Sequence, residues 1–203
     1  PGTASLYAGD ETAGVRRLDY LPGNAAQNVS GLVVGRYTRH TGEAGSELSV
    51  WVDNRDDSWS DWGQAGALGE ALQPHAAAVV RRGYRTAAGD ETVALDPHYL
   101  VGIAAEAGEQ RGWLRLRAVD GWGLLGTWRA AEPLTWEGRS IGWLLAHLTA
   151  RVGLAYGSEG YPATLGETVA HFTVVPGRSA ADAVRSLLWL AGCGARWDAD
   201  GAL

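Results

Sequence analysis

Leu48-Ser-Val-Trp-Val-Asp53 puts Leu48, Val50 and Val52 on one side of an extended chain and Ser49, Trp51 and Asp53 on the other. Successive side chains of a strand point to opposite faces, so this period of two reads as a β-strand with one face buried. Val29–Tyr37 has the same character, and the glycines of His40-Thr-Gly-Glu-Ala-Gly45 supply a loop between the two strands. Ala77–Arg85, Glu91–Leu95, Tyr99–Glu106 and Gly112–Val119 read as further strands, separated by turns at Ala88-Gly-Asp90 and Gly108-Glu-Gln-Arg-Gly112. Short strands at this spacing predict a sandwich or a small barrel.

The periodicity changes after about residue 134. Ser140 is placed to cap a helix, and Ile141, Leu144, Leu145, Leu148 and Val152 follow at helical spacing, with Gly153 to end it. A second helix is predicted from Ser179, with Asp182 three residues on as an acidic partner at the helix start. Its inner face is Val184, Leu187, Leu188 and Ala191, and Gly192 or Gly194 closes it. Ala170–Val175 reads as a strand between the helices, and Arg196–Asp198 as the start of a final hairpin. The expected fold class is therefore α+β. Residues 1–134 form a β-rich, mainly antiparallel, barrel- or sandwich-like domain. Residues 135–203 form a small helix–strand–helix–hairpin domain, incomplete at its C-terminus. The chain starts at Pro1 and stops at Asp198-Ala-Asp-Gly-Ala-Leu203, a turn signal that expects a return strand, so both ends read as cut from a longer polypeptide.

Composition limits the function classes. The 203 residues are 46% hydrophobic and 20% charged, which is the balance of a globular protein. No stretch approaches the roughly 18 consecutive apolar residues of a membrane span, and Pro1-Gly-Thr does not start a signal peptide. No membrane insertion is expected. A net charge of −6 argues against nucleic acid as the main ligand, because phosphate binding requires a basic surface. All 17 basic residues are arginine, whose planar fork suits ion pairs at interfaces. The single cysteine, Cys193, excludes an internal disulfide, and its apolar setting predicts a buried, inert thiol.

Catalytic and metal-binding patterns do not emerge. The five histidines, His40, His75, His98, His147 and His171, show no ligand spacing, and His147 reads as a hydrogen-bonded structural side chain beside the apolar stripe. No nucleophile elbow and no phosphate-binding loop is present. Counted from Asp53, the acidic stretch 51–62 has Arg55, Ser58 and Gln64 at the third, sixth and twelfth positions, so it does not fit a calcium loop. The expectation is a non-enzyme with neither cofactor nor metal. The ten tryptophans leave a sugar-binding reading open, with Trp59, Trp62, Trp122, Trp128 and Trp136 in or near loops. The competing reading makes them core or interface anchors.

One order of features resembles a family. A strand ends in the turn Asn54-Arg-Asp56, and an apolar strand closes on Gly83-Tyr84. Leu114-Arg-Leu-Arg-Ala-Val-Asp-Gly-Trp122 follows, then a helix ending in Gly153-Leu154. Last come Val175-Pro-Gly-Arg-Ser179, an Ala/Leu-rich helix and Arg196-Trp-Asp-Ala-Asp-Gly201. Over roughly residues 28–203 this is similar to the tail-hub, or baseplate-hub, proteins of phages, prophages and contractile injection systems. The resemblance implies an α+β virion protein without an active site, located at the tail tip and made in the bacterial cytoplasm. It implies assembly with itself, as a threefold ring, and with tail-tube and spike or fibre proteins, in the apparatus of host attachment. A second barrel half, usual in such hubs, would have to lie beyond Leu203. Large aromatic side chains anchor such interfaces, and Trp59, Trp62, Tyr84, Trp122 and Trp128 are the expected contact residues. The alternatives are a carbohydrate-binding module using surface tryptophans and a tail-associated hydrolase.

Overall fold

A computed structural model of the chain describes residues 2–7, 17–22, 27–28, 34–42, 45–54, 72, 74–86, 89–94, 96–106, 112–157, 162–195 and 197. The chain divides into two compact units, Pro1–Asp120 and Gly121–Leu203.

The first unit is built on one sheet. Its strands are β1 (Gly2–Tyr7), β2 (Arg17–Pro22), β3 (Gln27–Asn28), β4 (Val34–Gly42), β5 (Gly45–Asp53), β6 (Ala77–Thr86), β7 (Gly89–Ala94), β8 (His98–Glu106) and β9 (Trp113–Val119). They run in the order β3-β2-β1-β6-β8-β9-β5-β4, with β7 paired to β6. All pairings are antiparallel except β1 with β6. Four antiparallel strands curl into a half-barrel, the barrel-like arrangement predicted for the N-terminal part.

The alternation of β5 decides its register. Leu48, Val50 and Val52 lie opposite Ala118, Leu116 and Leu114 of β9, and all six are buried. A one-residue slip would turn every one of them to the other face. That face carries polar partners. The Arg115 guanidinium donates to Ser49 Oγ (3.2 Å) and lies 5.2 Å above the Trp51 ring, and Arg117 pairs with Glu47 at 3.0 Å.

The second unit contains α1 (Gly121–Thr127), β10 (Leu134–Ser140), α2 (Ile141–Ala150), a 3-10 turn (Ala163–Gly166), β11 (Thr168–Val174) and α3 (Ala180–Leu190). β10 and β11 pair antiparallel, with Trp136 opposite Phe172. α3 packs against both α1 and α2. The predicted stripe Ile141, Leu144, Leu145, Leu148 and Val152 is buried throughout, as are Val184, Leu187 and Leu188, while Ala191 is half-buried.

Both helices are capped where their sequences indicate. Ser140 Oγ accepts from the Trp143 N–H, and Ser179 Oγ accepts from the Asp182 N–H while donating to its carboxylate. At the other ends Gly153 and Gly192 take positive φ, +75° and +64°. The Leu154 N–H then reaches the Thr149 carbonyl and the Cys193 N–H the Leu188 carbonyl, so each helix closes in the same six-residue turn.

The boundary between units lies at Asp120/Gly121, ahead of the expected 134/135. The sequence reading assigns no element between Val119 and about residue 134, yet α1 packs on α3 and residues 128–130 are tied to the loop before α3. The Ala130 N–H donates to the Arg178 carbonyl, Gly177 to Ala130, and Ala180 to Trp128. Gly121 also lies against the indole of buried Trp197, where an added Cβ would come within 2.1 Å of the ring. The hairpin expected from Arg196 onward lies outside the described residues apart from Trp197.

Candidate functional site

The most organised group of surface side chains runs along α2. Arg139 is the penultimate residue of β10, and Trp143, His147 and Arg151 follow at intervals of four residues, which places these three on one face of the helix. The Arg139 guanidinium lies 4.8 Å over the Trp143 ring. Trp143 stacks on His147, with centroids 4.9 Å apart and planes 9° from parallel. The Arg151 Nη2 donates to His147 Nε2 at 3.2 Å, and the same guanidinium lies 5.6 Å over Trp128. Trp136 of β10 meets His147 edge-on at 5.4 Å and stacks on Phe172 at 6.3 Å. A ladder results in which two stacked rings lie between two cations, and each rung restricts its neighbours.

His147 accepts from Arg151, so its ring is neutral, with its proton on Nδ1. Burial, followed by the nearby charge of Arg151, pushes this imidazole below its ordinary pKa of 6.5. Among the described residues no carboxylate stands within 4.0 Å of Arg139 or Arg151, whereas Arg117 and Arg185 have Glu47 and Asp182. The ladder therefore presents two guanidiniums and an aromatic surface.

Of the five residues expected at an interface, Tyr84, Trp122 and Trp128 are among the described residues. Trp59 and Trp62 lie outside the described residues. Tyr84 stands on β6 opposite Glu91 of β7. Trp122 and Trp128 both belong to the second unit and are half-buried. Arg185 lies 5.0 Å over Trp122, whose edge meets Trp197 at 6.0 Å. A different tryptophan is far more open. Trp189, in the last turn of α3, is 81% exposed, and Leu190 beside it and Val175 before the helix are also exposed. The i, i+4 spacing of Trp143, His147 and Arg151 was visible in the sequence. The exposure of Trp189 was not, because the inner-face residues Leu187 and Leu188 immediately precede it.

Two polar constellations have the donor order of catalytic groups. Ser46 Oγ lies 2.9 Å from His98 Nε2, and His98 Nδ1 lies 3.0 Å from the Asp96 carbonyl. The carbonyl only accepts, so Nδ1 carries the proton and the serine hydroxyl donates. His98 is 1% and Ser46 5% exposed, so a substrate has no approach and the pair acts as a clamp between β5 and β8. On the exposed face of β10–β11, Thr173 Oγ1 and His171 Nε2 share a hydrogen bond of 3.0 Å, and Glu137 lies 3.8 Å from the other ring nitrogen. These groups are solvated and form a cross-strand ladder.

Among the described residues no group of three or more His, Cys, Asp or Glu is placed to hold a metal ion, and no helix is long and apolar enough to cross a membrane. Residues 55–62 of the acidic stretch, which does not fit a calcium loop, lie outside the described residues. Cys193, expected buried, is half-buried, because it follows the glycine turn that ends α3. Its Sγ donates to the Ala191 carbonyl at 3.3 Å. Comparison with protein-family models and with curated proteins finds no match to the chain.

Proposed function

We propose that the chain is a structural tail-hub component of a bacteriophage or phage-like particle, joining the tail tube to the tip or spike apparatus. It works there by holding neighbouring proteins, including further copies of itself, and carries out no chemistry. The order of sequence features that resembles tail hubs supports this reading, as does a half-barrel followed by a compact unit with doubly capped helices.

The observation that carries it is Trp189. An indole left 81% exposed, next to exposed Leu190, on a helix whose opposite face is fully buried, is the composition of an interface anchor. A sugar-binding reading has less support at the tryptophans expected for it. Trp122 and Trp128 each carry an arginine over one face, and Trp136 stacks on Phe172 and meets His147 edge-on. A hydrolase reading would rest on Ser46 and His98, which no substrate reaches.

The test is the mass of the purified chain in solution by light scattering over a range of concentrations. A trimer or hexamer that Trp189→Ser weakens, with unfolding unchanged, is the expected result. A monomer at the highest concentration, with Trp fluorescence shifted by an oligosaccharide, would overturn the proposal in favour of sugar binding.

A further inference from the structure

We infer that the ladder Arg139–Trp143–His147–Arg151 is a docking surface for a second copy of this chain, with the two arginines taking carboxylates of the neighbour. The inference deepens the hub reading and rests on it, since it names the surface through which copies meet.

Four observations lead there. First, Arg139 and Arg151 keep their charge at the surface with no carboxylate within 4.0 Å among the described residues, although the same unit pairs Arg185 with Asp182. The charge of Arg151 is felt by His147, which it pushes toward the neutral form.

Second, the two guanidiniums are already held. Arg139 is fixed on Trp143, and Arg151 between His147 and Trp128. A long side chain ordered before binding loses less freedom on association, so each contact it makes retains more of its free energy.

Third, Trp and Arg are the residues that dominate binding free energy where proteins meet, and here two arginines flank Trp143 and His147 along a helix about 15 Å long.

Fourth, the charge of the chain selects the occupant. It carries 23 acidic residues against 17 arginines, a net charge of −6. Glu132 and Glu167 of the second unit are exposed, with no cation within 4.0 Å among the described residues. A copy of the chain thus offers surplus carboxylate to a stripe that lacks it. Nucleic acid fits less well, because the chain's net charge of −6 opposes a phosphate backbone, which needs a basic surface.

The experiment is analytical ultracentrifugation of the full chain at low and high salt, for the natural sequence, for Arg139→Glu with Arg151→Glu, and for Arg185→Ala as a control on α3. Self-association of the natural chain should weaken roughly tenfold or more as salt rises, because exposed charges are screened. The double variant should weaken it at least as far at low salt, and the control should leave it unchanged. Far-UV circular dichroism checks that the double variant is folded, and the salt series tests the same point with no substitution. If the natural chain associates and neither salt nor the double variant changes its mass, the docking surface is wrong and the hub reading stands. If the natural chain stays monomeric under all conditions, both fall.

Discussion

At Gly45 one added methyl group should do harm in two ways. Its φ of +127° lies where side-chain-bearing residues rarely go, and holding alanine there costs on the order of 1–3 kcal/mol. The new Cβ would also stand 2.5 Å from Asp120 Oδ1, so the carboxylate must swing away. That carboxylate accepts the Ser46 N–H at 2.7 Å, and the Asp120 N–H donates to the Ser46 carbonyl at 2.9 Å, so the start of β5 and the end of β9 are pinned together there. A hydrogen bond to a charged group contributes about 1.5–3 kcal/mol. Gly45→Ala should therefore destabilise the first unit by roughly 3–5 kcal/mol. Urea unfolding followed by circular dichroism measures it by linear extrapolation. In an Asp120→Ala background the clash and the hydrogen bond are both already gone, so the same substitution should cost only its strain. The two changes would then be coupled by more than about 1 kcal/mol. A loss below about 1 kcal/mol in the natural background, or strict additivity with Asp120→Ala, would refute this account of the turn.

Three further outcomes are expected. Ser179→Ala removes the acceptor of the Asp182 N–H and should cost the second unit about 1 kcal/mol, read as a lower midpoint in thermal unfolding. Leu187→Ala, at a fully buried site on α3, should cost about 2–5 kcal/mol in urea unfolding, because the surrounding helices cannot close the cavity. The folded state holds His147 below its ordinary pKa of 6.5, so its contribution is present above that value and is lost as pH falls through the lowered one. Thermal unfolding of the second unit should weaken on acidification below neutrality, and His147→Gln should flatten that part of the pH profile.

Where the local signal and the tertiary environment agreed, the fold was legible. Leu48, Val50 and Val52 alternate because one face of β5 is buried, and the stripe from Ile141 to Val152 repeats at helical spacing because α2 lies on the core. Ser140, Ser179, Gly153 and Gly192 are end signals whose geometry is entirely local. α1 was not legible, since three of its seven residues are glycine and its helix depends on packing against α3. β10 was missed because Glu137, Gly138 and Arg139 are all exposed and interrupt any alternation. The Ser46–His98 clamp joins residues 52 positions apart, a separation at which periodicity carries no information. Of the expected contact tryptophans, the rings of Trp122 and Trp128 are engaged by arginines of their own unit. The sequence shows neither those partners nor the exposure of Trp189.

The seating of the Trp197 indole on Gly121 joins the first residue of the second unit to one of the last it describes. On a ribosome, residues 121–190 emerge before Trp197, so every helix of this unit is made while the slot at Gly121 stands empty. Closing so long a loop carries an entropy cost of about 4 kcal/mol, which the earlier packing of α3 on α1 and α2 must largely have met already. Final consolidation of this unit is thus timed by synthesis of residue 197, and a nascent chain halted short of it would leave Gly121 and the Trp122 ring without the indole that packs on them.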